Sequence, residues 1–362
     1  MVLLRVAEDD QLPAALAAAL SGGPAVTPHA PASALAAIRP DLPVTEPGAA
    51  VVVATSGSTG EPKAVVLTAD ALRFSANATH QRLGGPGEWV CALPTHYVAG
   101  LMTVVRSVVA GTGLRFAAPD LADLPAPGDR SYLSVVATQL HRLLGQSAQM
   151  RRLRGYAGVL VGGSAVPAGL REAALDAGVR LVTTYGMSET AGGCVYDGVP
   201  LDGVSVELSG QRIGLRGPMV FAGYRLRPDL TAEVLDSGVV WTNDRGRLTA
   251  EGRLEVLGRF DDVVISGGEK VDLAAAQQLC DELFDPSRAP VVLLGVPDDD
   301  WGVRVVAVTT GEWRLEELLD RLRGRLGRAG MPKELRRVGH LAYTSTGKID
   351  RAALQAAWQD EG

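Results

Sequence analysis

From Trp89 to Thr183 short apolar runs and helix-patterned segments take turns, and this alternation narrows the fold more than any other feature of the chain. Residues 89–93, 114–117, 132–136, 158–161 and 179–183 read as strands, and 137–144 and 167–177 read as helices. The segment 101–110 is apolar on several sides, carries one charge, Arg106, and reads as a buried helix. Strands and helices in alternation build a mostly parallel sheet covered by helices, so the expected fold class is α/β. Ligands of such sheets gather beyond the C-terminal ends of the strands. Two loops fall there: Gly162-Gly163-Ser164-Ala165-Val166 and Thr184-Tyr185-Gly186-Met187-Ser188-Glu189-Thr190.

Upstream of the alternation, two apolar runs, 51–54 and 65–68, flank Thr55-Ser56-Gly57-Ser58-Thr59-Gly60-Glu61-Pro62-Lys63. The runs read as a strand and its hairpin partner. A connection this rich in Gly, Ser and Thr lets backbone N–H groups and hydroxyls converge on one anion, with Lys63 adding a charge. The same composition also suits an ordinary hairpin turn. It is not a Walker A loop, because Pro62 precedes the lysine and a strand, not a helix, follows.

The length of 362 residues suffices for two domains, and a net charge of −6 argues against nucleic acid as the main partner. No apolar run is long enough to span a membrane and no signal peptide is visible, so a cytoplasmic protein is expected. Cys91, Cys194 and Cys280 show neither metal-ligand spacing nor an even-numbered disulfide framework, and the five histidines contain no paired motif. Residues 12–20 read as a helix, 24–47 as a Pro-rich connector, and 70–83 as a second helix. Between about residues 195 and 257 helical patterning disappears, which suggests a small antiparallel or barrel-like β region. A charged joint, Gly258-Arg259-Phe260-Asp261-Asp262, then leads to a strand and the turn Ser266-Gly267-Gly268. The last hundred residues read as a compact α+β module with helices at 273–283 and around Leu315 to Leu326, strands at 291–296 and 304–309, and a final Thr344-Ser345-Thr346-Gly347-Lys348-Ile349-Asp350.

Five of these stretches, in this order, resemble the motifs of the adenylate-forming superfamily of acyl-CoA synthetases, luciferases and peptide-synthetase adenylation domains. They are the Thr55–Lys63 loop, Tyr185–Thr190, Thr242-Asn243-Asp244, the joint with its Ser266-Gly267-Gly268 turn, and Thr346-Gly347-Lys348-Ile349. The resemblance covers residues 51–355. It implies a two-step reaction in which a carboxylate attacks the α-phosphate of ATP to give an acyl-adenylate and pyrophosphate, and a thiol then displaces AMP. Anion attacking anion needs donors and cations around the developing charge. By this resemblance Thr55, Ser56, Gly57, Ser58, Thr59, Gly60 and Lys63 hold the β- and γ-phosphates, and Glu189 holds Mg²⁺, a hard cation that takes carboxylate and phosphate oxygens. Tyr185 with Gly186 stacks on adenine, and Ser188 and Thr190 touch phosphate. Asp244 accepts the ribose hydroxyls and Arg259 adds a ribose or phosphate contact; Asn243 replaces the glycine common in the family. Lys348 bridges the attacking carboxylate and the α-phosphate. Asp261 marks a hinge between an N-terminal domain, residues 1–260, and a mobile C-terminal lid, residues 261–362, whose Ser266, Gly267 and Gly268 line the CoA channel.

The phosphate loop lies close to the N-terminus, and Pro94-Thr95-His96-Tyr97-Val98-Ala99-Gly100, Arg106 and Ala137 to Leu144 are similar to the o-succinylbenzoate:CoA ligases of menaquinone biosynthesis. That likeness implies an acyl pocket of His96, Tyr97, Gly100, Gly162, Gly163, Ser164 and Met187. A cation, Arg106 or else Arg142, would recognise the carboxylate that does not react. Soluble CoA is the expected acceptor, since no carrier segment is visible. Other aryl or short-chain acyl-CoA synthetases and carrier-loading adenylation enzymes share the same core motifs. A degenerate nucleotide-binding regulator is disfavoured because Glu189, Asp244 and Lys348 are all present. Homodimers are common in the family.

Overall fold

A computed structural model of the chain describes residues 3–55, 62–284, 290–343 and 349–360. The chain divides into two compact units. One comprises Met1–Val166, Arg171–Thr242 and Leu248–Glu255, and the other Pro167–Leu170, Asn243–Arg247 and Val256–Gly362.

The first unit contains the α/β sheet expected from the alternation. Its seven strands run in the order Val199–Pro200, Gly192–Tyr196, Leu181–Met187, Gly158–Val161, Ser131–Val135, Glu88–Cys91, Leu114–Phe116. The last five are mutually parallel, joined by crossovers that include the helices Val98–Ala110, Ala137–Leu144 and Ala168–Asp176. Parallel strands covered on both faces are buried along their whole length, as Ser131–Val135 and Gly158–Val161 show. One boundary differs from the sequence reading. Thr184 to Met187 are not a loop: the strand Leu181–Met187 runs on through them and pairs with Gly192–Tyr196, and only Ser188–Thr190 turn, as a single 3₁₀ step. Consecutive Thr183, Thr184 and Tyr185 favour extended backbone. Gly186 then permits the return strand to approach, because a Cβ there would stand 2.2 Å from the Gly192 carbonyl oxygen.

A second sheet in the same unit holds the hairpin, in the order Arg5–Ala7, Val26–Pro28, Ala49–Thr55, Lys63–Thr68, Gly223–Tyr224. The segment expected to be a connector, 24–47, therefore supplies the strand Val26–Pro28 and the helix Ala32–Ile38. Both are short and bounded by prolines, so neither presents a full period of apolar residues. Arg225 fastens this segment down: its guanidinium, 2% exposed, donates to the carbonyls of Ile38, Arg39, Leu42 and Pro43 and pairs with Glu46 at 3.3 Å.

The β region after Tyr196 is antiparallel, the first of the two forms expected. It forms an open sheet, Ser205–Ser209, Arg212–Arg216, Val239–Leu248, Leu235–Asp236, with Leu254–Arg259 paired to Val239–Leu248, and no sheet closes into a barrel among the described residues. A helix, Pro228–Val234, interrupts the expected run of strands, with Pro228 at its first turn. The second unit has a sheet in the order Glu269–Asp272, Val263–Ser266, Gly302–Thr309, Val291–Asp298, with Leu335–Arg337 parallel to Gly302–Thr309. Helices Leu273–Leu283, Leu315–Leu322 and Arg351–Asp360 belong to it. Asp272 caps the first of these by accepting from the amides of Ala274 and Ala275 at 3.1 Å. Among the described residues no helix is long and apolar enough to cross a membrane.

Candidate active site

The hairpin brings Thr55 and Lys63 into register as partners at the ends of their strands. Ser56, Gly57, Ser58, Thr59 and Gly60 lie outside the described residues, as does Lys348. Val65 and Val66 pair with Tyr224 and Gly223, and the amide of Ala222 donates to the carbonyl of Val66 at 2.9 Å. The amide of Phe221 donates to the carbonyl of Glu189 at 2.9 Å. The segment 221–225 thus ties the strand that carries Lys63 to the turn that carries Glu189. Its side chain repeats the tie: the Tyr224 hydroxyl donates to Glu189 Oε1 at 2.6 Å, and Lys63 Nζ stands 5.4 Å from the centre of the Tyr224 ring. Burial, the Glu189 charge and the hydrogen bond to that carboxylate all push the Tyr224 pKa up, so the phenol stays a neutral donor. Sequence reasoning missed Tyr224. Its only signal was a Gly-Tyr-Arg step inside a stretch read as plain β structure.

Within the turn, Thr190 is fully buried and its hydroxyl bonds the Met187 amide at 3.0 Å and the Gly192 carbonyl at 2.8 Å. That hydroxyl serves the turn that presents Glu189. Ser188 is also buried, whereas Tyr185 and Met187 are half-buried and pack on the main core of the unit. Donor chemistry suits magnesium here: one Glu189 oxygen accepts from Tyr224, the second has no partner among the described residues, and Mg²⁺ is ordinarily held by one or two carboxylates together with substrate phosphates.

Arg106, on the helix Val98–Ala110, is the most unusual charge in the unit. It is 4% exposed, its guanidinium lies 4.9 Å from the centre of the Trp89 ring, and its Nε makes no hydrogen bond. Among the described residues no carboxylate lies in ion-pair range of it, and burial pushes its pKa down. The indole beneath it is oriented in turn: Trp89 Nε1 donates to His80 Nε2 at 3.0 Å. Because that nitrogen accepts, His80 is neutral; burial first and then the nearby Arg106 lower its pKa to about 4. Trp89 also packs on Tyr132 at 5.0 Å between ring centres. Ser134 lies on the same strand face as Tyr132, two residues on, and its buried hydroxyl has no partner. The sequence reading named Arg106 but passed over His80, Trp89 and Ser134, which carry no motif.

At the mouth of that helix, His96 and Tyr97 are half-buried with ring centres 4.3 Å apart, and burial lowers the His96 pKa. Gly100 has a packing reason to be glycine, since a Cβ there would stand 2.3 Å from the Pro94 carbonyl oxygen. Gly162 is half-buried and Gly163 and Ser164 are exposed, past the end of the strand Gly158–Val161. Arg142 lies in the helix Ala137–Leu144 on the exposed side.

In the second unit Asp244 and Arg259 meet, with Arg259 Nη1 3.2 Å from Asp244 Oδ1. Arg259 Nη2 also holds Asp261 Oδ2 at 2.9 Å, and Asn243 Nδ2 donates to the other Asp261 oxygen at 2.5 Å. Asn243 therefore extends a chain of four side chains, Asn243–Asp261–Arg259–Asp244, along the joint. Gly267 and Gly268, at φ +57° and +83°, form the two-residue turn of the hairpin Val263–Ser266/Glu269–Asp272, and the Ser266 hydroxyl is buried without a partner.

A family profile described as AMP-binding enzyme matches residues 5–254. A probable 2-succinylbenzoate–CoA ligase of Mycobacterium tuberculosis is 41% identical over 329 residues, 84% of this chain and 83% of that protein. The 2-succinylbenzoate–CoA ligase of Listeria monocytogenes is 32% identical over 330 residues, 85% of this chain and 70% of its own. Among solved structures, the o-succinylbenzoate coenzyme A synthetase of Bacillus subtilis in complex with ATP and magnesium ion superposes with a TM-score of 0.72 at 25% identity, covering 86% of this chain and 70% of that one.

Proposed function

Since the chain belongs to the AMP-binding enzyme family, we propose that it is an ATP-dependent acid:CoA ligase working through an acyl-adenylate, converting o-succinylbenzoate, CoA and ATP to o-succinylbenzoyl-CoA, AMP and diphosphate. The observation that carries the choice of acid is Arg106. A buried guanidinium with no carboxylate in ion-pair range among the described residues is costly to desolvate and calls for an anion. A dicarboxylic substrate supplies one while its other carboxylate reacts, and the relatives named for 2-succinylbenzoate support that reading.

In this scheme Thr55, Lys63 and the intervening loop grip the leaving pyrophosphate, and Glu189 holds the magnesium ion through the oxygen that Tyr224 leaves available. The metal would neutralise phosphate charge as it develops. Tyr185, Gly186, Ser188 and Thr190 border the nucleotide. Asp244, with two acceptor oxygens, suits the ribose hydroxyls, and Arg259 holds it in place from 3.2 Å. His96, Tyr97, Gly100, Gly162, Gly163, Ser164 and Met187 bound the acid. Lys348 bridges the attacking carboxylate and the α-phosphate, residues 261–362 move as a lid about Asp261, and Ser266, Gly267 and Gly268 line the path of CoA. The enzyme works in the cytoplasm.

Pyrophosphate exchange by the purified protein across a panel of acids tests this directly. Exchange restricted to o-succinylbenzoate is the expected result, and preference for a monocarboxylic acid overturns the choice of acid. Lys348→Ala should lower adenylate formation by about 10²–10³, and a loss of less than tenfold removes Lys348 from the reaction.

A further inference from the structure

Tyr224 touches both a cation and an anion of the phosphate end of the site, and no motif assigns it a task. Its backbone has little freedom. Gly223 and Tyr224 pair with Val66 and Val65, the Arg225 amide donates to the Ala64 carbonyl at 2.8 Å, and the next side chain, Arg225, is pinned by four carbonyls and Glu46. The ring is 8% exposed and meets Phe221 edge-on at 5.1 Å. From this anchored position its hydroxyl reaches Glu189 Oε1 at 2.6 Å while its face stands 5.4 Å from the ammonium of Lys63. A buried tyrosine satisfies its hydroxyl equally well on a backbone carbonyl. Here it uses the carboxylate.

We propose that Tyr224 is a positioning residue for the metal–nucleotide complex, orienting the Glu189 carboxylate by one oxygen and holding Lys63 apart from it. The second half follows from charge. Among the described residues neither Lys63 nor Glu189 forms an ion pair, although one aromatic ring touches both. Paired with each other they would neutralise the charges that a cation and a phosphate need. Engaged separately, one by the hydroxyl and the other by the ring face, the carboxylate stays open to Mg²⁺ and the ammonium to phosphate. A hydrogen bond that fixes a ligating carboxylate commonly accounts for 10–100-fold in metal affinity.

This inference rests on the adenylation reading, and two variants separate its parts. Tyr224→Phe keeps the ring, the Phe221 contact and the spacer, and removes only the hydroxyl. The concentration of Mg²⁺ giving half-maximal pyrophosphate exchange should rise about 10-fold or more. The gain in Tm produced by ATP with Mg²⁺, relative to ATP with EDTA, should shrink, while the KM for the acid stays put. Tyr224→Leu also removes the spacer and should raise the KM for ATP as well. Glu189→Gln serves as the partner variant: with Glu189 already neutral, adding Tyr224→Phe should change the Mg²⁺ dependence no further. A wild-type Mg²⁺ dependence in Tyr224→Phe, or an additive effect in the double variant, overturns the positioning role. A wild-type protein without Mg²⁺-dependent exchange refutes the adenylation reading instead, and the Tm comparison then still reports whether Tyr224 governs metal–nucleotide binding.

Discussion

Replacing Arg106 by Met should separate stability from specificity. Met matches the aliphatic stem of Arg and ends where the guanidinium begins, so packing along the stem on the helix Val98–Ala110 is kept and the charged head is what disappears. On the stability side the protein loses a cation–π contact at 4.9 Å, worth about 2 kcal/mol when desolvated. It also sheds an uncompensated buried charge, whose burial costs several kcal/mol. The two terms nearly cancel or favour the variant, so the Tm of Arg106→Met should equal or exceed that of the wild type. On the substrate side a charge-assisted hydrogen bond to a carboxylate contributes about 1.5–3 kcal/mol. At 1.4 kcal/mol per factor of ten, the KM for o-succinylbenzoate should rise about 10- to 150-fold. The assay is acid-dependent pyrophosphate exchange with ATP saturating, alongside a thermal melt. The KM for ATP should not move. An unchanged KM for the acid, or a several-degree loss of Tm with the KM values for acid and ATP rising together, would mean that Arg106 only shapes the core, and the argument for a dicarboxylic substrate would fail with it.

His80 gives the fold a pH dependence of known sign. Its folded pKa of about 4 lies below the ordinary 6.5, so the neutral ring's contribution is complete above pH 6.5 and is lost as pH falls toward 4. Tm should drop across that window, and His80→Gln should flatten the part of the drop that His80 causes; an identical profile would reject the assignment. Asn243→Gly should leave Asp261 held by Arg259 alone and raise the KM for ATP by about 2- to 10-fold, the size of one hydrogen bond. Measured ATP dependence that matches the wild type would show that this chain of four side chains does not support Asp244. Burial pushes the thiols of Cys91, Cys194 and Cys280 up to about 12, so the native protein should not react with a thiol reagent at pH 8 and the denatured protein should release three equivalents.

The strand–helix alternation and the hairpin around residues 55–63 were legible because they rest on local rules: the period of apolar residues, the punctuation by glycine and proline, and the preference of Thr and Tyr for extended backbone. The helices Ala137–Leu144 and Leu273–Leu283 fall where those rules put them. The rules erred where elements are too short to show a period, as in Val26–Pro28, Ala32–Ile38 and Pro228–Val234, and where strand pairing turned an expected loop, Thr184 to Met187, into strand. The same held for the site. Glu189, Lys63, Asp244 and Arg106 could be named from motif order and residue type. Their partners could not: Tyr224 meets Glu189 from 35 positions away, and Arg225 reaches Ile38 across 187. What sequence by itself determined is which chemistry the chain carries and in what order. Which charges are compensated, and which are left for a ligand, was decided only by tertiary structure, because burial and hydrogen bonding depend on neighbours that folding brings together and the linear chain does not.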